Sequence, residues 1–144
     1  MKDGFGKQCL DRSEIYRYLG FGPGQVDDET SSEVEKAIDI LMEGLRPRYT
    51  ANVYTPAFTE EGVRLEGSPL LLSGESIRNH LRGAQMVLLM AATLGLEAEQ
   101  RIRARQAQSI TGGFVMDAVA NEAIEKFCDW AQGRLSAENP LDCM

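Results

Sequence analysis

The sequence predicts an α+β domain, and three observations predict it. Apolar residues recur at helical spacing in the first third and again in the last quarter. Between them lies a stretch that alternates with a period of two. A short, uninterrupted apolar run then sits between turn signals. The expected arrangement is a single domain in which helices pack on a twisted, mainly antiparallel sheet. At 144 residues the chain is long enough to bury about two thirds of its unfolded surface.

Residues 1–10 read as a flexible leader. Asp11-Arg12-Ser13-Glu14 signals a helix start, with Asp11 or Ser13 as cap and Ile15 and Leu19 on one face. The run Gly20-Phe21-Gly22-Pro23-Gly24 ends that helix. It follows a helix rather than a strand and contains proline, so it reads as a turn rather than a phosphate cradle. Thr30-Ser31-Ser32-Glu33 matches a capping box. Val34, Ala37, Ile38, Leu41, Met42 and Leu45 then form an apolar stripe that Gly44 and Pro47 bring to an end.

From Arg48 the period changes. Tyr49, Ala51, Val53 and Thr55 alternate with polar neighbours until Pro56 closes the run. Val63-Arg64-Leu65 and Leu70-Leu71-Leu72 flank Glu66-Gly67-Ser68-Pro69, the pattern of a hairpin. Ser73 or Gly74 opens a brief helix ended by Gly83. Met86 to Thr93 is the most apolar run and is expected to be a central strand buried on both faces. A helix follows from about Leu96, with Glu97 and Glu99 in its first turn. A long helix from about Thr111 to Leu135 should pack across the sheet, with Met116, Ala120, Ala123, Phe127 and Trp130 as its apolar stripe.

Several function classes are excluded. A formal net charge of −7 argues against binding nucleic acid, whose phosphates call for clustered Lys and Arg. No apolar run approaches the ~20 residues that span a bilayer, and no charged-then-apolar leader opens the chain. The expected setting is therefore the cytoplasm. Cys9, Cys128 and Cys143 form no C-x-x-C pair, and His80 is the only histidine. A zinc site is not expected, nor hydrolase chemistry, since no G-x-S-x-G elbow accompanies that histidine.

Leu72-Ser73-Gly74-Glu75-Ser76-Ile77-Arg78-Asn79-His80-Leu81-Arg82-Gly83, followed by Met90-Ala91-Ala92-Thr93-Leu94-Gly95-Leu96, carries a resemblance. It resembles the L-x-G-x-S-I-x-x-H-L-x-G … M-A-A-T-L-G signature of free-standing bacterial relatives of the activation (reactivation) domain of cobalamin-dependent methionine synthase. The similarity covers residues 11–136, with 137–144 as a tail. It implies a C-shaped α+β domain that binds S-adenosylmethionine beside an oxidised corrinoid. A flavodoxin-type donor then supplies an electron and methylcobalamin is restored. The cobalt carries the hard chemistry, and the protein aligns methyl group and metal. The family's late R-x-x-P-G-Y motif, which holds much of the S-adenosylmethionine, has no counterpart in these residues. The chain is thus expected to be an incomplete version of the domain, with no catalytic residue of its own. The alternative is a non-catalytic module that docks on a corrinoid protein or a partner chain.

Three positions are candidates for binding the cofactor, Glu122 from the resemblance and Thr93 and Gly95 from their place in the chain, each with a second reading. Glu122 matches the glutamate that the family's long helix carries toward S-adenosylmethionine; alternatively it pairs with Lys126 one turn on, a contact worth about 0.2–0.5 kcal/mol. Thr93 and Gly95 sit where a strand end meets a helix N-terminus, a frequent ligand position, or they form a tight turn. His80 either makes a polar contact that fixes the following strand or faces a corrinoid. Arg101, Arg103 and Arg105 either attract an acidic electron-transfer partner or form a solvated face. Loss of the late segment is expected to expose Phe127 and Trp130 and to drive self-association.

Overall fold

The computed structural model describes residues 4–138, and its architecture is α+β. Five α-helices and two small sheets lie among the described residues. The chain divides into two compact units, one formed by the residues up to Arg48 with Ala92–Arg134, the other by Tyr49–Ala91 with the chain from Leu135. No helix among the described residues is long and apolar enough to cross a membrane.

The first unit is helical. Helix α1 (Arg12–Tyr18) starts at Asp11, whose side chain accepts the Ser13 N–H. Helix α2 (Asp28–Gly44) starts three residues before the expected capping box, because the Asp27 carboxylate accepts the Thr30 N–H at 2.7 Å and takes the cap first. Helices α4 (Leu96–Gln108) and α5 (Ile110–Glu138) complete the unit. Ile15, Val34, Ile38, Leu41, Met116, Val119 and Phe127 are its buried core. Residues 4–10, read from the sequence as a flexible leader, join this unit: a 3-10 turn forms over Lys7–Cys9 and Leu10 is buried. Helix α5 runs past Leu135 to Glu138; of the expected tail, residues 139–144 lie outside the described residues.

The arginines of α4 are clamps onto α2. Arg101 donates to Glu43 at 3.3 Å, to Glu97 at 3.2 Å and to the Ile40 carbonyl at 3.4 Å. Arg105 reaches Glu33 at 3.5 Å, so of the basic cluster only Arg103 is an exposed charge with no acid paired to it among the described residues.

In the second unit, strands β2 (Pro56–Phe58), β3 (Gly62–Leu65) and β4 (Leu71–Ser73) form an antiparallel sheet with β3 in the middle. The expected hairpin is β3–β4, with Val63 opposite Leu72. The strand run that starts at Arg48 closes before Pro56, as expected, and Pro56 opens the next strand, β2. Proline is tolerated at the first residue of an edge strand, where its missing N–H breaks no ladder. Helix α3 (Glu75–His80) follows β4. Val63, Leu65 and Val87 make the core, with Tyr54, Leu72, Leu81 and Leu89 packed against it.

Strands β1 (Arg48–Tyr54) and β5 (Val87–Thr93) pair as a separate two-stranded sheet. The run from Met86 to Thr93 is therefore a strand but not a central one. In a two-stranded sheet each strand has an open edge, and only Val87 of this run is fully buried while Met86 is 48% exposed. Apolarity alone selected the strand; it carried no information on how many neighbours the strand would find.

Gly62 is held where no other residue fits. Its φ is +152°, and a Cβ there would lie 2.0 Å from the Leu72 carbonyl oxygen across the ladder. Gly62→Ala should lower stability by roughly 2–4 kcal/mol through strain and forced separation of β3 from β4. Urea denaturation checks this, and a loss below about 0.5 kcal/mol would contradict the packing described.

Candidate functional site

Val115, Ala118 and Val119 precede Glu122 by seven, four and three residues, so Glu122 falls on the inward stripe of α5. Its side chain has no exposed surface, and it is the only buried polar or charged residue among those described. Oε2 accepts the backbone N–H of Asp11 at 2.7 Å, and the Lys126 ammonium lies 3.7 Å from the same oxygen. Oε1 is buried without a hydrogen-bond partner. Burial pushes the carboxyl above its ordinary value, against the Asp11 N–H and the Lys126 charge, which pull it down. The pairing with Lys126 expected from the spacing is present. A larger partner, the amide of Asp11, lies 111 residues away and leaves no local signal in the sequence.

The Asp11 amide belongs to the segment that leads into α1, and other contacts hold that segment to the same unit. Phe5 meets Phe127 edge-on at 5.3 Å and Trp130 at 6.4 Å. Phe127 and Trp130 stack at 5.6 Å, and Phe127 is 1% exposed. The expected patch at Phe127 is therefore absent; the exposed large apolar side chains of this unit are Ile110, Phe114 and Leu96. Lys7 pairs with Asp39 at 2.9 Å and Arg12 with Glu35 at 3.0 Å. The Arg12 hydrogen bond holds the Glu35 carboxyl below its usual range.

Thr93 and Gly95 form a tight turn. The Gly95 N–H donates to Thr93 Oγ1 at 3.0 Å, and the Arg46 N–H donates to the Leu94 carbonyl at 3.0 Å. Gly95 has φ +102°, and a Cβ would come within 2.7 Å of the Arg46 carbonyl oxygen. Its backbone is thus pressed against the chain that leaves α2. The partners of Thr93 and Gly95 lie at Arg46, those of Glu122 at Asp11 and Lys126, so the contacts do not draw the three residues into one site. His80 ends α3 with its side chain exposed. Cys9 and Cys128 are free thiols, and no group of three or more potential metal ligands occurs among the described residues.

A cleft of about 530 Å³ opens instead beside α1, within the usual size of ligand and side-chain pockets. Tyr16, Phe21, Pro23 and Val26 give it an apolar wall, and Glu14 and Arg17 stand at its rim. The turn after α1 builds this wall, because the Phe21 N–H returns to the Tyr16 carbonyl at 2.9 Å and folds the ring back toward the helix. Arg17 is tied to Glu14 at 2.6 Å and lies 5.2 Å from the Tyr18 ring. Tyr16 hydrogen-bonds Ser31 of α2 at 3.4 Å. The residues of this turn carry the signal that sequence reasoning passed over: Phe21 and Pro23 set among glycines put apolar surface where a plain turn needs none.

The sequence matches no protein-family model and no curated protein.

Glu35 and Arg12 generate a pH prediction. The folded carboxyl of Glu35 is lowered, so its contribution is complete above the ordinary carboxylate value and is lost as pH falls through the lowered one. Arg12→Leu should therefore destabilise the chain most near neutral pH. The gap to wild type should narrow at about pH 3, as measured by urea denaturation at both values. A gap that widens on acidification would contradict the pairing.

Proposed function

We propose that this chain is a docking module related to the methionine synthase reactivation domain, engaging a corrinoid protein through the cleft beside α1. The observation that carries the reading is that cleft: an open, aromatic-walled cavity of about 530 Å³. The three candidate groups for S-adenosylmethionine are engaged inside the protein. Glu122 Oε2 holds the Asp11 amide, Thr93 Oγ1 holds the Gly95 amide, and Gly95 abuts Arg46. The 72–83 and 90–96 signature supports the link to the reactivation system. In this reading cobalamin and S-adenosylmethionine belong to the assembled complex, the flavodoxin-type donor is the partner's reductant, and this chain contributes recognition. We place it in the cytoplasm, where Cys9 and Cys128 persist as thiols. Self-association remains part of the proposal only through exposed Ile110 and Phe114, at 85% and 70%.

Two measurements test the reading. Isothermal titration of the 144-residue chain with S-adenosylmethionine should give a Kd weaker than micromolar, that is, less than about 8 kcal/mol of binding energy. Titration with the isolated cobalamin-binding domain of a methionine synthase should give saturable heat, and Phe21→Ala should weaken it roughly tenfold or more while circular dichroism is unchanged. Micromolar S-adenosylmethionine binding with no response to the corrinoid domain would replace docking by cofactor binding.

A further inference from the structure

Glu122 is held by one of its oxygens only. Both nearby donors, the Asp11 amide and the Lys126 ammonium, address Oε2, while Oε1 is buried and meets none. The charged groups around it are unequal. Asp11 and Glu14, from the α1 segment, repel an ionised carboxylate, and Lys126, from the next turn of α5, attracts it. Tyr18 also feels this charge, and Glu125 and burial hold its hydroxyl above the usual tyrosine range. A neutral carboxyl costs less in this environment than an ionised one. Its carbonyl oxygen still accepts the Asp11 amide, and although its O–H meets no acceptor among the described residues, no charge is left in the core. An ionised one leaves an unsolvated oxygen.

We infer that Glu122 is a latch: it holds the segment from Phe5 to Arg12 closed over the Phe127–Trp130 pair, and ionisation of its carboxyl releases that segment. The segment has no strand pairing. Besides the Asp11 amide and the buried Leu10 side chain, it is fixed by the Phe5 ring contacts, the exposed Lys7–Asp39 pair and the part-buried Arg12–Glu35 pair. The exposed pair is of small strength in water. Lifting it admits water to Oε1 and uncovers one face of Trp130. The sign follows from linkage. The closed form holds the proton more tightly than the open form does, so closure is complete below the ordinary carboxylate value and is lost as pH rises through the raised one. Between those values the open-to-closed ratio grows about tenfold per pH unit. Because the segment continues into α1, whose residues wall the cleft, release would also reshape the docking site. That last step rests on the docking reading; the latch does not.

Trp130 is the only tryptophan, and it stands beside Phe5 at 6.4 Å, so its emission reports the segment directly. The experiment follows Trp130 fluorescence of the full chain from about pH 4 to 9, with far-ultraviolet circular dichroism to show that the helices persist. Wild type should show one transition above the ordinary carboxylate value. Glu122→Gln, neutral at every pH and able to accept from the Asp11 amide, should keep the acid-form emission throughout. Phe5→Ala, which leaves the carboxylate untouched, should show alkaline-form emission at every pH. A flat wild-type profile, a Glu122→Gln profile that keeps the transition, or a Phe5→Ala profile like wild type overturns the latch. Should Glu122→Gln fail to fold, the wild-type and Phe5→Ala profiles still decide. If the corrinoid-domain titration is silent while the Trp130 transition is present, the docking reading fails and the latch stands.

Discussion

The hydrogen bond from the Asp11 amide to the buried carboxylate of Glu122, 2.7 Å long, is the contact on which the helical unit's amino-terminal part depends. Ionising a carboxyl inside a protein costs several kcal/mol in lost hydration. One charge-assisted hydrogen bond would return only about 1.5–3 kcal/mol of that, so the closed contact favours the neutral form. Lys126, 3.7 Å away and itself partly exposed, adds less than a direct contact would. The site is therefore a compromise. The carboxylate fixes where the chain enters α1, and in return the chain covers it. Removing either side leaves a buried polar group without its partner, which makes this contact more consequential than its single hydrogen bond suggests.

The surface charges have the opposite character. Lys7, Arg12, Arg17, Arg101 and Arg105 each find an acid, yet most of these groups remain in reach of water and contribute modestly. What they provide is placement. Arg101, by touching Glu43, Glu97 and the Ile40 carbonyl, sets α4 along α2, and the turn at Thr93-Leu94-Gly95 delivers the chain to that position. Two of the three arginines of a basic cluster that resembles an invitation to a partner are thereby consumed within one helix pair. The apolar cleft beside α1, by contrast, has no such internal partner, which is why it rather than the basic cluster supports the docking reading.

Much of the local structure was legible because local rules decide it. Asp11 as cap, the β3–β4 hairpin around Glu66-Gly67-Ser68-Pro69, and the start of α4 after Gly95 all depend on residues within a few positions of one another. The helix start at Asp27 rather than Thr30 is a local choice between two acceptable caps three residues apart. The other differences have non-local causes. The segment from Met86 to Thr93 is apolar enough for a central strand, but a two-stranded sheet gives it one neighbour. Residues 4–10 join the core through Leu10 and through Phe5, and Phe5 and the Asp11 amide meet partners on α5 more than a hundred residues away. For the candidate site, the spacing marks Lys126 as the neighbour of Glu122, but a carboxylate on an inward stripe reads equally as a ligand contact and as an anchor until its partner is known.

The account turns on whether Glu122 is an anchor whose burial disfavours its charge. The direct measurement is the side-chain carboxyl carbon of Glu122 followed through a pH titration by nuclear magnetic resonance, together with the Asp11 amide proton. The account predicts that the Glu122 carbon titrates above the ordinary glutamate value of about 4.3 and that the Asp11 amide shifts with the same midpoint. A Glu122 midpoint at or below that value, or an Asp11 amide indifferent to it, would contradict the account.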